Sequence, residues 1–494
     1  MLNKVTIHGK NVANGQNLAV VGGGITGLIS AYESDKLGFK VTVFEETDQY
    51  GGKIKNGALD GKPINLGAEF IDAKNTRLIA LCKELGVELI PATDQATEQF
   101  HLPDGRLISG EAFHKDYKPI AEQIIADKQC LIVDGKYTQL ALHLNDISLT
   151  DYLQELAAKA QPPVDPQIIE TVARVYGSEG GRNPEKINAL QFVNEASDEL
   201  GSFLSSDCGY RVAGGTHQLI DALRLYLQGR GVEFQAGAKV TKLGKEDGKF
   251  QLGFEVTPEK GVEKFDKVTL ALPAYALGKI EGLEALGMKP EERELLNNTQ
   301  YCHSSKFFVK LKDGVEVDNA CFFSNDGFQA WISEKGMMTF LAGGENINKH
   351  KGIELINHCL GEYAKAHGKR VDELFEVAPD KMVLGAPDLK RPCYASPAMG
   401  QATKLGDLFG AMERMAQNGI AIAGTFLPLR EGQCSSVGFM ECGAASAQRA
   451  AQMLNSPLVE QKAEKPTENH IPNWVYKIFA NGNTTASVGA SYTI

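Results

Sequence analysis

Gly22, Gly24 and Gly27 stand in the spacing G-x-G-x-x-G directly after an apolar run at residues 18–21. Residues 25–37 have helical length and no proline, residues 41–44 form a second β-branched run, and Glu45 ends it. In such an arrangement the first glycine permits a tight turn, the second lets the backbone approach a diphosphate, and the third lets helix and strand pack closely. A helix starting at Ile25 and Thr26 brings amide donors and partial positive charge to its N-terminus. An acid about twenty residues further on can accept hydrogen bonds from an adenosine ribose. Together these residues predict a βαβ unit that holds a dinucleotide.

The remaining composition bounds what can surround that unit. The chain has 494 residues and is 43% hydrophobic, enough for two cores or one large core with insertions. A net charge of -11 and the lack of a basic run argue against nucleic acid or an anionic membrane surface as partner. The polar N-terminal stretch does not resemble a signal peptide. No apolar run approaches the roughly eighteen residues of a membrane-spanning helix, so no transmembrane segment is expected. Nine cysteines, odd in number and without a C-x-x-C pair, suggest neither a disulfide framework nor a metal site, and a reducing, cytoplasmic setting fits. Ten scattered histidines and no G-x-S-x-G give serine hydrolase chemistry no support. Residues 111–205 carry apolar positions at three- and four-residue spacing and predict helices. An exposed apolar surface on that insertion would suit a homodimer. Residues 456–470 are charged and proline-broken and predict a linker, and the tail beyond them is expected to pack on the body.

The residues after Glu45 and Glu46 indicate which dinucleotide is bound. Gly51 and Gly52 form a second glycine pair, Lys53 comes next, and a small strand pair leads to Gly67, Ala68 and Glu69. This stretch resembles the flavin amine oxidase family, whose relatives include the carotenoid desaturases and protoporphyrinogen oxidase. The resemblance continues through AGGTHQLIDAL and its following strand with Val240, through VTLALPAYAL, SSKFFVKL and MMTFLAGG, and into IAIAGTFL and VGFMECGAASAQRAA. It implies FAD as cofactor and an α/β fold: a Rossmann-like FAD domain from residues 1–95, 205–275 and 415–455, and an α+β substrate domain with a mixed sheet from residues 96–204 and 276–414. The cofactor-binding residues it implies are Gly22, Gly24, Ile25, Thr26, Gly27, Glu45, Glu46, Gly51, Gly52, Lys53, Gly67, Ala68, Glu69, Val240, Gly424, Thr425, Gly438, Phe439 and Met440. Val240 would hold the adenine.

The resemblance also implies catalytic positions. Lys306 matches the family lysine at the flavin, with Lys310 as an alternative on the same strand face. Phe439 and Tyr394 match the aromatic walls that hold an amine by face contacts, without an anion that would keep it protonated. Cys393 precedes Tyr394 as a flavin-linked cysteine does in monoamine oxidases, but Arg391 and Pro392 replace the glycines before it, and an ordinary thiol is expected. Lys53 stands where arginine is usual, and Thr425 where glutamate is usual, so a hydroxyl replaces a carboxylate; Cys442 and Ala447 occupy glycine positions. These departures mark a divergent member.

Three readings are open. The leading one is oxidation of an amine or amino acid by hydride transfer to flavin, with oxygen as acceptor. The second is desaturation or dehydrogenation of an isoprenoid- or porphyrinogen-like carbon framework. The third is a flavin-binding subunit without turnover. An amino acid substrate would need a carboxylate-binding arginine, for which Arg77, Arg174, Arg182 and Arg211 are candidates.

Overall fold

The computed structural model describes residues 15–92, 97–202, 208–256, 264–318, 320–344, 349–385, 393–428 and 437–455. The expected linker and tail lie outside the described residues, as do Arg391 and Pro392. The first apolar run forms strand β1 (Asn17–Val21), and helix α1 (Ile25–Lys36) follows it to strand β2 (Lys40–Phe44). With strands β3 (Glu233–Gln235), β4 (Lys267–Leu270) and β5 (Ile420–Ile422) they build a five-stranded sheet in the order β3-β2-β1-β4-β5. Every pair in it is parallel, with Val21 opposite both Phe44 and Leu270. A parallel strand covered on both faces must be apolar throughout, and in β1 every residue after the first is buried.

The chain winds outward from β1 to β2 and β3, then crosses to the other side for β4 and β5. The order therefore reverses beside the carboxyl end of β1, which is where open parallel sheets bind ligands. Gly38, with φ +89°, closes α1 in the left-handed conformation that glycine adopts without strain. The last described helix, α2 (Met440–Asn455), packs along α1. Its buried Ala444, Ala447 and Ala450 recur every third residue, and such small side chains allow a close helix approach.

A second, eight-stranded sheet is mixed: Thr97–His101 lies parallel to Ala320–Phe323, and the other pairings are antiparallel. Its strand Ser304–Leu311 sits between Met337–Gly343 on one side and Phe375–Glu376 with Met382–Gly385 on the other. Alternation divides the strand. Phe307, Val309 and Leu311 enter a core against the helix Ile353–Ala366, where Phe307 stacks on Phe340 at 4.8 Å. Phe308 turns the other way, onto Leu59 and Ile64 of the hairpin Asn56–Leu59 and Lys62–Asn65. That hairpin is the small strand pair expected before Gly67, and Asp60 and Gly61 turn it with φ of +52° and +73°.

The stretch predicted to be helical contains Gly110–Gln129, Gln139–Asp146, Leu149–Lys159, Pro166–Glu179 and Ala189–Glu195. Ser148 and Asp151 close a reciprocal capping box, and Asp165 caps the helix that Pro166 begins. Helical structure stops at Glu195, ahead of the predicted end, because Ala196 is extended.

Phe307 is fully buried and face-stacked, so Phe307→Ala leaves a cavity that two sheet neighbours cannot fill. The expected cost is about 3–5 kcal/mol, seen as a lower urea midpoint; an unchanged midpoint would contradict this packing.

Candidate active site

The glycines of the first turn and of the second pair meet. Gly51 N–H donates to the Gly23 carbonyl at 2.9 Å, and Gly24 and Gly51 form an isolated parallel bridge. A Cβ on Gly52 would stand 3.1 Å from Gly24 Cα, tighter than an ordinary contact, and Gly52 itself has φ +61°. Gly27 packs its Cα on the turn itself, where a Cβ would be 1.8 Å from the Gly22 carbonyl oxygen. Gly22 has φ +107°, a conformation that strains other residues.

The first turn of α1 presents its amides without a side-chain cap and without an acid, which leaves the helix N-terminus suited to an anion. Ile25 and Thr26 in that turn are buried. Glu45 is buried as well: Oε2 accepts from Gly23 N–H at 2.8 Å, and Oε1 accepts from the Thr47 amide and hydroxyl at 3.0 and 2.8 Å. Each carboxylate oxygen carries two lone pairs, so Oε2 retains acceptor capacity for a ribose hydroxyl. Glu46 beside it is exposed. Val240 is buried in the cluster that includes Phe44 and Ala238, and the Ala238 amide donates to the Glu45 carbonyl at 2.8 Å. Thus the acid end of β2 and the strand of Val240 border one another.

The closing segment completes this neighbourhood. Gly424 N–H donates to Ser446 Oγ at 3.0 Å, tying the end of β5 to α2. Gly438 N–H donates to the Thr425 carbonyl at 2.6 Å. A Cβ on Gly443 would stand 2.5 Å from Thr26 Oγ1 and 3.2 Å from Thr425 Cγ2, so the start of α2 is pressed against both threonines. Met440 packs on the α1 core. These close approaches, capless helix end and acid fit the diphosphate and ribose of an FAD.

Past the second glycine pair the chain turns towards the mixed sheet. The Ala68 amide donates to the Lys53 carbonyl at 3.3 Å, and Gly67 lies so close that a Cβ there would be 2.0 Å from the same oxygen. Lys306 reaches this segment from the sheet: its Nζ is 3.5 Å from the Gly67 carbonyl and forms an ion pair with Glu69. Glu69 also pairs with Arg211 at 2.9 Å, whose guanidinium donates to the Ser333 carbonyl at 3.1 Å. Lys306 and Glu69 are only 8% and 6% exposed, so this is a buried triad of charges. The Glu69 carboxylate, expected at the cofactor, is thereby held by two cations of this chain. Lys310 lies at the other end of the same face and pairs with Glu376 at 2.8 Å and with Asp60.

Tyr394 and the segment that carries Phe439 meet at Gly438. A Cβ on Gly438 would stand 2.9 Å from Tyr394 Cβ, which sets Tyr394 against the residue before Phe439. Tyr394 is half-buried, and burial raises its phenol well above the ordinary value, while Phe439 is 40% exposed. The side chain of Lys53 extends over the Tyr301 ring at 4.9 Å, near Cys302 and Cys393, and burial lowers its ammonium to about 8. Behind Tyr394 lie two acids that the sequence did not single out. Burial raises Glu179, whose Oε1 accepts from Gln329 at 2.8 Å. Burial pushes Glu195 up to about 7, against the lowering by hydrogen bonds from Tyr176 and Gln191. Their signal in the sequence was slight, since a glutamate near a helix end is normally solvated.

Of the candidate arginines, Arg77 is engaged by Glu441, Arg174 by Glu170, and Arg211 by Glu69. Arg182 donates to the Ser396 carbonyl at 3.0 Å, and among the described residues it makes no ion pair. Burial lowers its guanidinium below the ordinary range.

Comparison with known proteins agrees with this geometry. The family model described as flavin containing amine oxidoreductase matches residues 25–373. AofH of Mycobacterium tuberculosis is 24% identical over 277 residues, 52% of this chain and 57% of AofH, so the match spans little more than half that protein's length. The flavin-dependent L-tryptophan oxidase RebO of Lentzea aerocolonigenes is 23% identical over 423 residues, 78% of this chain and 84% of RebO. The solved cyclohexylamine oxidase of Brevibacterium oxydans IH-35A superposes with a TM-score of 0.72 at 16% identity, covering 89% of this chain and 99% of that one, which shows the fold.

Because the folded-state pKa of Glu195 is raised to about 7, its contribution is fully favourable below the ordinary carboxylate range and is lost as pH rises through that value. Glu195→Gln is therefore expected to exceed the parent in stability at about pH 8, by about 2–3 kcal/mol, with the gap closing towards about pH 5. Urea denaturation at the two pH values measures it, and a gap independent of pH would contradict the assignment.

Proposed function

This chain belongs to the flavin containing amine oxidoreductase family and is an FAD-dependent oxidoreductase, and on that premise we propose that it oxidises the C–N bond of an amine or amino acid, with oxygen as acceptor and hydrogen peroxide as product. The observation that carries the reading is the seating of Lys306. It is a buried lysine delivered by the mixed sheet onto the backbone that continues from the second glycine pair, with Glu69 and Arg211 holding it there. The relatives named for cyclohexylamine and L-tryptophan oxidation support the C–N bond as the target.

FAD, when bound, supplies the acceptor for the electron pair that leaves the carbon beside nitrogen. The chain's own residues do the rest. Gly22, Gly24, Gly27, Gly51 and Gly52 hold the diphosphate, Glu45 the ribose, and Val240 lies on the adenine side. Gly424, Thr425, Gly438 and Met440 close the site from the C-terminal segment. Tyr394 and Phe439 offer ring faces to the substrate nitrogen, an attraction that does not require a fixed anion. The raised phenol pKa of Tyr394 keeps it neutral in this role. Glu69 and Arg211 fix the Lys306 ammonium, so that its position is set before substrate arrives. An amino acid substrate is favoured by one particular group: Arg182, a partly buried guanidinium near Ser396 and Cys302 without an acid of its own among the described residues.

The test is anaerobic bleaching of the purified yellow protein, with peroxide release in air, against monoamines, polyamines and L-amino acids. Bleaching with peroxide for one class is expected; bleaching without peroxide would replace oxygen as acceptor, and no bleaching with any amine would overturn the reading. Lys306→Met is expected to retain flavin and lose about 10²-fold or more in turnover. If amino acids are the substrates, Arg182→Met should raise KM for them by at least about tenfold, the loss of one charge-assisted hydrogen bond, and leave simple amines unaffected.

A further inference from the structure

The segment before Tyr394 and the segment before the lysine strand are joined by their backbones at two cysteines. Cys302 N–H donates to the Tyr394 carbonyl at 3.0 Å, and Cys393 N–H donates to the Cys302 carbonyl at 2.9 Å. Next to them Tyr301 and Ala395 form an antiparallel bridge. Two residues of one segment, Cys393 and Tyr394, therefore face the single residue Cys302, as in a β-bulge. The two thiols are also near enough for each to influence the ionisation of the other. The Tyr394 amide donates to Cys302 Sγ at 3.4 Å, and Cys393 Sγ lies 3.6 Å from the Ser304 carbonyl. A direct backbone hydrogen bond between two cysteines on adjacent antiparallel segments keeps them close neighbours, which a disulfide requires.

The surroundings are cationic. Lys53 acts on both sulfurs through space, and Arg182 on Cys302. Cys393 is lowered to about 6, first by the neighbouring Cys302 thiol, with Lys53 adding to it, whereas burial pushes Cys302 well up. One sulfur is thus the nucleophile and its neighbour the proton-bearing partner, the arrangement of an attacking and a resolving cysteine. Nothing in the amine chemistry above uses either thiol.

The geometry points to Cys302 and Cys393 as a redox site, a dithiol that hydrogen peroxide converts reversibly to a disulfide. The Cys393 thiolate attacks one peroxide oxygen, an S–O bond forms, the O–O bond breaks, and the departing hydroxide takes a proton to leave as water. The Cys302 sulfur then attacks the sulfenic sulfur, an S–S bond forms, and the S–O bond breaks with loss of a second water. Two thiols give up two electrons and two protons, and one peroxide becomes two waters. The bond would staple the approach to the Lys306 strand to the residue before Tyr394.

The experiment uses the reduced full-length holoprotein with added peroxide, so its outcome does not depend on which substrate, if any, the enzyme oxidises. After alkylation and digestion, a peptide joining Cys302 to Cys393 is expected, two hydrogens lighter than its reduced halves. The denatured thiol titre should fall by two from nine, and dithiothreitol should restore it. In Cys302→Ser, Cys393 should stop as a sulfenic acid that dimedone traps. Three results would overturn the proposal: both thiols still alkylated after exposed Cys130 has been oxidised, Cys393 carried to sulfinic acid with Cys302 still free, or Cys393 found bonded to flavin after acid precipitation.

Discussion

Two glycine segments lie in contact near the carboxyl end of β1, and the architecture on both sides depends on that contact. Gly24 belongs to the turn into α1, and Gly51 and Gly52 belong to the loop after β2; with no side chain on either, the backbones bridge and hydrogen-bond. A Cβ on Gly52 would press on Gly24 Cα at 3.1 Å and push the two segments apart. The hairpin Asn56–Asn65, Gly67 and Glu69 would then shift as well, because their backbone is pinned to Lys53 and Lys55. Polar satisfaction carries the contact further: Glu45 is buried only because Gly23 and Thr47 supply its hydrogen bonds.

The second constraint is electrostatic. Lys306, Glu69 and Arg211 are charges withdrawn from water, and such a group tolerates burial only as a set. Removing Glu69 would leave two buried cations facing each other without an anion, which costs more than the set stabilises, whereas removing either cation leaves a paired acid. The triad joins three separated pieces of chain: the segment after the second glycine pair, the short strand Tyr210–Val212, and the mixed sheet. It therefore ties the dinucleotide side to the sheet, with Lys306 on the strand face opposite Phe307, Val309 and Leu311.

Glu179, Glu195, Lys53 and Arg182 show a different pattern. Each is shifted first by burial, not by a neighbouring opposite charge. Around Tyr394 the structure thus keeps several ionisable groups displaced towards their neutral forms, as sites that must exchange protons or receive charged ligands do.

What could be read from the sequence was local. The glycine spacing, the β-branched runs, Glu45, the small hairpin and the alternation in SSKFFVKL depend on neighbours within a few residues, and periodicity and turn chemistry report such neighbours directly. Together with the family resemblance they indicated an α/β flavoprotein. Contacts between remote segments were not legible. That the Glu69 carboxylate lies between Lys306 and Arg211 could not be seen along the chain. Arg182 was indistinguishable from three other arginines until their acids could be seen. The meeting of Cys302 with Cys393, and of Tyr394 with Gly438, depends on how the mixed sheet and closing segment pack. The sequence by itself determined which segments could form strands, turns and a diphosphate cradle, because those are set by backbone sterics and hydrophobic period. Only the tertiary structure decided which charges are paired and which thiols are neighbours, because Coulomb interaction and hydrogen bonding act through distance in space and leave no period along the chain.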